Sequence, residues 1–178
     1  MEFHPRGGIG ILLQGLPPAA GPPRPTNGTA MQIQGTLDVI LSHKNHALWS
    51  IAPNATVFEA IQMMADHNIG SVLVMRDGRL LGVLSERDYT RKVILKGRQS
   101  RQTMVNEIMT SPVITAPLSC GIDEALRLMS EKRIRHLPVM ENGRVIGLVS
   151  LGDLVKWVIA AQDATISQLE SYITGSYA

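Results

Sequence analysis

The sequence carries a single cysteine, Cys120, in 178 residues. A lone cysteine excludes an internal disulfide and fits a reducing compartment. Aromatic residues make up only 4% of the chain, so aliphatic and methionine side chains must fill its core. No apolar run approaches the roughly 20 residues of a membrane-spanning helix. The formal charge is only +2, and that balance does not suggest a nucleic-acid binder, which concentrates many Lys and Arg on one face or tail. What is present is ordinary for a soluble globular protein: 44% hydrophobic residues in a length that suits one compact domain.

Residues 1–30 stand apart. Pro17, Pro18, Pro22, Pro23 and Pro25 alternate with Gly and Ala, and no hydrophobic period emerges, so the segment buries too little apolar surface to offset its chain entropy. It is expected to be a disordered Pro/Gly-rich tail. The apolar run at residues 9–13 follows Arg6 but is broken by Gly10 and leads to no cleavage pattern. The expected location is therefore cytoplasmic, or organellar if residues 1–30 are a targeting segment.

The rest of the chain is written twice. A shift of 65 positions places Glu59 on Glu124, Met64 on Met129, Gly78 on Gly143, Gly82 on Gly147, Ser85 on Ser150 and Asp88 on Asp153 without a gap. A fixed period marks a repeated structural unit that buries its apolar face against its twin. Each unit is longer than a solenoid repeat, which makes it a small subdomain of a pseudo-two-fold pair.

Local signals give each unit the order β-α-β-β-α. Thr36 is placed to cap a short leading helix over residues 37–43. An extended stretch at 47–51 follows, and then a helix from 57 to near 67 opens on a capping box of Thr56 and Glu59. Strands are expected at 71–75 and 80–84 across the turn dipeptide Asp77-Gly78, and a helix at 86–96 stops at Gly97. The second unit repeats this: a short helix at 103–109, an extended stretch at 113–115, a helix at 122–132, strands at 137–140 and 145–149 across Asn142-Gly143, and a helix at 151–161. The segment 164–173 extends or follows that last helix and offers an apolar face for dimerisation. The expected organisation is a first repeat with its leading helix at 36–99, a second at 103–161, and a C-terminal helix and tail at 162–178.

Where the last strand of each unit becomes a helix, the chain reads Gly82-Val83-Leu84-Ser85-Glu86-Arg87-Asp88 and Gly147-Leu148-Val149-Ser150-Leu151-Gly152-Asp153. The glycine lets a flat base approach the backbone. The serine sits at a helix N-terminus, where amides and the dipole favour phosphate. The Asp one turn on suits the two hydroxyls of a ribose. The plainer alternative is a capping box inherited twice.

These segments, with Thr56–Ala60, Ile122–Ala125 and Arg133-Ile134-Arg135-His136-Leu137-Pro138-Val139, resemble a cystathionine-β-synthase (CBS) domain pair, or Bateman module, over about residues 36–161. Glu86-Arg87-Asp88-Tyr89 and Leu169-Glu170-Ser171-Tyr172-Ile173-Thr174-Gly175 are similar to the stand-alone two-repeat proteins of bacteria and plant organelles. The resemblance implies an α/β (α+β) fold of two tandem repeats and a non-enzymatic regulatory module. It implies an adenine nucleotide (AMP, ADP, ATP or NAD(H)) as regulatory ligand in the cleft between repeats, with no catalytic cofactor and no metal. It implies a homodimer acting on a regulated enzyme or transporter, without nucleic acid or membrane. By position it implies Asp88 and Asp153 at ribose, Ser85 and Ser150 near ribose or phosphate, Ser50 and Thr115 on the first strands, and Gly70, Ser71, Arg135, His136, Leu137 and Pro138 at the entry to the second strands. The units differ most at Gly70-Ser71 against Arg135-His136 and at Arg87 against Gly152, so the two clefts are not expected to bind alike.

Arg87, Arg91, Lys92, Arg133 and Arg135 lie in or beside these segments and can offset phosphate charge; the plainer alternative for Arg91, Lys92 and Arg133 is a solvated helix face. That balance favours a phosphorylated ligand over cationic S-adenosylmethionine. A ligand-free dimeric scaffold, in which the motif is only a cap, is the main alternative function. Cys120 precedes a helix that can lower its thiol pKa, beside the simpler reading of a small residue in a loop.

Overall fold

The computed structural model describes residues 35–44 and 48–174; the proposed tail and the extended residue Ala47 lie outside the described residues. The elements are α1 (Leu37–Ser42), β1 (Ser50–Ile51), α2 (Val57–Asp66), β2 (Ser71–Arg76), β3 (Arg79–Ser85), α3 (Glu86–Lys92), β4 (Ala116–Pro117), α4 (Ile122–Lys132), β5 (His136–Glu141), β6 (Arg144–Ser150) and α5 (Leu151–Thr174). They form two three-stranded sheets of like topology, β1-β2-β3 and β4-β5-β6. In each, the first pairing is parallel and the second is an antiparallel hairpin, with a register irregularity at Val74/Met75 and at Val139/Met140.

Local chemistry explains most of this. The Thr56 hydroxyl accepts from the Glu59 amide while Glu59 bonds back to the Thr56 amide, so the capping box forms and starts α2. Both residues of each hairpin turn have positive φ: 51° and 74° at Asp77-Gly78, 49° and 76° at Asn142-Gly143. That is what a two-residue turn matching the strand twist requires. α2 and α4 bury Val57, Ala60 and Met64, and Ile122, Ala125 and Met129, equivalent positions under the repeat.

Several elements depart from expectation. α3 ends at Lys92, and a separate 3₁₀ turn, Ile94–Lys96, precedes Gly97. Val93, fully buried, leaves the helix at φ −116°, ψ −65° to reach the core. None of the residues 113–115 expected to be extended in the second unit lies in a strand; the paired residues come directly after, at Ala116–Pro117. The helix expected at 103–109 is one 3₁₀ turn, Val105–Glu107. α5 runs unbroken for 24 residues, since nothing between Asp153 and Thr174 is Gly or Pro. The Thr36 side chain makes no cap hydrogen bond; instead Thr36 bridges to Gly121.

That bridge reveals how the units are joined. The Leu37 and Asp38 amides donate to the carbonyls of Cys120 and Leu118 at 3.0 and 3.2 Å. Leu37, Ile40 and Leu41 belong to the core of the second unit, with Ile122, Leu137, Val149 and Leu154. Conversely, Val105 and Ile108 belong to the first core, with Val57, Val72, Val74 and Leu84, and the Val105 amide donates to Ala55 at 2.9 Å. The leading segments are exchanged relative to the chain order: the segment that precedes each unit in sequence packs in the core of the other. Gly82 and Gly147 make this exchange sterically feasible, because a Cβ at either position would collide with Met109 or Leu41.

Candidate functional site

Each Ser-x-x-Asp turn is a strand-to-helix junction locked by its own side chains. Asp88 Oδ2 accepts from the Ser85 amide at 3.1 Å and from the Ser85 hydroxyl at 2.6 Å, and the Asp88 amide donates to that hydroxyl at 3.3 Å. Asp153 Oδ2 accepts from the Ser150 amide and hydroxyl at 2.7 and 2.8 Å. The capping-box alternative is thus physically realised in both copies. The first amides of α3 and α5 donate to the carbonyls of Gly70 and Arg135 at 3.2 and 2.9 Å. The helix ends are therefore largely satisfied internally, which weakens the expectation of a phosphate held by bare amides.

Two clefts lie against these turns, and each draws on both units. The first, about 540 Å³, joins Ser150, Asp153 and Leu148 of the second unit to Leu48, Trp49 and residues 67–71 of the first. The second, about 440 Å³, joins Ser85, Arg87 and Asp88 of the first unit to Val113, Ile114 and residues 132–136 of the second. Both volumes fall in the range of small-molecule sites. His136 lines both.

The two carboxylates differ in what remains open. Asp153 Oδ2 also receives Lys44 at 2.7 Å, while Lys44 donates a second bond to the Leu148 carbonyl at 2.9 Å. Among the described residues the partners of Asp153 converge on Oδ2, and Oδ1 carries none. Asp88 uses both oxygens, because Oδ1 meets Lys92 at 2.8 Å and the Thr110 hydroxyl at 3.1 Å. Thr110 arrives there through a paired backbone bridge to Val83, at 2.8 and 3.1 Å. Burial opposes ionisation at both Asp residues. At Asp88 the bonds from Lys92 and Ser85 outweigh it, and at Asp153 those from Lys44 and Ser150, leaving each pKa below the ordinary carboxylate value.

His136 is pushed down to about 4 by burial and by the nearby Arg135 and Lys44 charges, against the opposing pull of Asp153. It is neutral at pH 7. Burial, with the neighbouring Glu124 and Asp123 carboxylates, raises the Cys120 thiol to about 11. The helix that follows therefore does not activate it, and Cys120 packs as a small core residue.

The structure brings Gly70, Ser71, His136, Ser150 and Asp153 to the first cleft, and Ser85, Arg87, Asp88, Arg135 and His136 to the second. Ser50 and Thr115 line neither. The residues just before them, Leu48 and Trp49 in one unit and Val113 and Ile114 in the other, line the clefts instead. Leu137 is a fully buried core residue, Pro138 is buried in β5, and neither lines a cleft. Gly82 faces Met109 rather than a cleft, whereas Gly147 both packs on Leu41 and lines the first cleft. Sequence reasoning missed Lys44, Trp49 and His67 in the first cleft and Thr110 and Lys132 in the second. Trp49 and His67 stack at 3.3 Å between ring centroids; their equivalence under the shift to Ile114 and Lys132 was the available signal.

Repeated β-α-β-β-α units with two clefts at equivalent seams define the class: a tandem α/β repeat pair. A CBS-domain family model matches residues 42–94 and 105–160, and the chain belongs to the CBS domain family. It is similar to the mitochondrial CBS domain-containing protein CBSX3 of Arabidopsis thaliana, 38% identical over 135 residues that cover 73% of this chain and 65% of that protein. The chain thus spans just under two thirds of that relative. A solved CBS-domain containing protein from Agrobacterium tumefaciens is 34% identical, with a TM-score of 0.66, covering 68% of this chain and 98% of the other. A CBS domain pair solved in complex with 5′-methylthioadenosine and S-adenosyl-L-methionine is 25% identical, with a TM-score of 0.61, covering 68% and 94%. Among the described residues no helix is long and apolar enough to cross a membrane.

Proposed function

We propose that this chain is a regulatory module that binds an adenine nucleotide (AMP, ADP, ATP or NAD(H)) between its repeats and thereby modulates a partner protein. The observation that carries this reading is the unpartnered Oδ1 of Asp153 beside a cleft of about 540 Å³. A carboxylate fixed by three donors on one oxygen presents the other as an oriented acceptor for a ribose hydroxyl. The adenosine-containing ligands of the similar solved pair support the ligand class. Because each cleft combines both units, a ligand with different affinity for two arrangements of the units shifts their balance. Exposed Ile94, Leu95, Val155 and Ile159 provide apolar surface for the homodimer that the family resemblance implies.

Calorimetry with AMP, ATP and NADH tests the reading. Binding by the wild type, with loss in Asp153→Ala, is expected; no binding to any of the three would refute it. A second reading, a ligand-free dimeric scaffold, is favoured by the complete capping boxes at Ser85/Asp88 and Ser150/Asp153. It requires that the Asp substitutions lower thermal stability and leave every ligand response unchanged.

A further inference from the structure

We propose that two copies of this chain pair through α5 as a parallel, two-stranded coiled coil. The proposal rests on the homodimer reading and commits it to one surface and one arrangement. α5 runs on to Thr174, past residue 160, where the match to the family ends. Its inward face is already used. Leu154 is fully buried, and Trp157 and Val158 pack on the core of the second unit. A separate row stands in solvent, with Val155 44%, Ile159 53% and Ile166 54% exposed. Large aliphatic side chains aligned in water along one side of a helix cost free energy until something covers them.

The spacing of that row says what covers it. Val155, Ile159, Gln162, Ile166, Leu169 and Ile173 follow one another in alternating steps of four and three residues, the heptad pattern of a helix that winds around a second helix. Isoleucine holds each a position, at 159, 166 and 173, and Val155, Gln162 and Leu169 hold the d positions. β-branched residues at a with leucine at d favour two parallel strands. Gln162, exposed in the single chain, fixes the direction. In a parallel pair it meets its own copy, where two amides, each with donors and an acceptor, bond to each other. In a fully overlapped antiparallel pair it would be set against Ile166 and buried without a partner. That arrangement would bring Lys156 to Glu170, but also Asp163 to its own copy. An exposed ion pair contributes less than an unpaired buried amide costs, so the parallel pair is favoured. Such a seam is complementary to itself, which fits a second copy of this chain.

Cysteine trapping of the full chain tests the pairing. In a Cys120→Ser background, the Ile166→Cys variant held in a glutathione redox buffer should form a disulfide-linked dimer, because a positions of parallel helices face each other. Ala164→Cys, placed on the outward side of the heptad, should form none. Analytical ultracentrifugation of the wild type and of Ile166→Asp gives a second readout that does not depend on the Cys120 change. Ile166 is exposed in the single chain, so Ile166→Asp should keep the wild-type circular dichroism. Its dimer dissociation constant should rise by about a hundredfold as two unpaired charges enter the seam. A wild-type dimer whose Ile166→Cys variant forms no crosslink, or no more than Ala164→Cys, overturns the coiled coil and leaves the homodimer reading standing. Unchanged dimerisation of Ile166→Asp does the same. A wild-type monomer at micromolar concentration overturns both.

Discussion

Substituting each aspartate of the repeated motif should separate what the two copies do for stability. Asp88 accepts from the Ser85 amide, the Ser85 hydroxyl, Lys92 and Thr110, the last of which anchors the exchanged segment to β3. Losing a cap costs about 1 kcal/mol, losing a bond to a charged acceptor about 1.5 kcal/mol, and losing an i,i+4 ion pair about 0.4 kcal/mol. Asp88→Ala should therefore destabilise by about 3 kcal/mol, or roughly 10 °C in Tm for a domain of this size. Asp153→Ala loses a similar cap and the Lys44 pair, whose lysine side chain is 39% exposed. Solvent screening limits that pair to about 0.5 kcal/mol, so the total is about 1.5 kcal/mol and roughly 5 °C. Thermal unfolding at neutral pH, followed by circular dichroism in the absence of ligand, reads both. Equal shifts, or a larger shift for Asp153→Ala, would refute the claim that Thr110 and Lys92 make Asp88 the more deeply tied residue. The pH dependence has a fixed sign. Both carboxylates have folded pKa values below their unfolded ones, so their stabilisation is present above the ordinary Asp pKa of about 3.9 and is lost as pH falls through the lower folded values.

His136 should add a separate acid limb: with a folded pKa of about 4, it stays neutral in the fold while the unfolded chain takes up a proton near pH 6.5. Stability should therefore fall between pH 6.5 and 4, and urea unfolding of His136→Asn should show a flatter profile there, with unchanged slope disproving the assignment. Gly147→Ala should be destabilising by about 1–3 kcal/mol through collision with Leu41; a wild-type Tm would show that α1 does not press on β6. Arg133→Asn should raise stability by roughly 0.5–1 kcal/mol by removing a strained left-handed arginine, whereas a lower Tm would mean that the arginine stabilises the fold.

The architecture was legible to the extent that it is local. Thr56 and Glu59 lie three residues apart, Asp77-Gly78 and Asn142-Gly143 fix their own hairpins, and the 65-residue shift reported the duplicated topology through residues such as Gly82/Gly147 and Asp88/Asp153. Boundaries slipped where packing overrode propensity. Val93 left its helix because it is needed in the core, and residues 103–109 tightened to a single 3₁₀ turn because Val105 and Ile108 are drawn into the first unit. In the clefts, the motif residues Ser85, Asp88, Ser150 and Asp153 were readable as a spacing. Ser50 and Thr115 line neither cleft while the residues just before them do, a placement that two-residue strands give no pattern to reveal.

By itself, then, the sequence determined a twice-repeated unit, its caps and turns, and the position of an acidic residue at each strand-to-helix junction. The caps and turns depend on neighbours within a few residues, whose interactions form wherever the same short stretch of sequence occurs. Only the tertiary structure decided that α1 seals the opposite unit, that Lys44 reaches Asp153 from 109 positions away, and that six cations collect around one cleft while the other is nearly neutral. Contacts of that separation leave no periodic trace, because they are selected by how two cores close against each other and not by the local preferences of the chain.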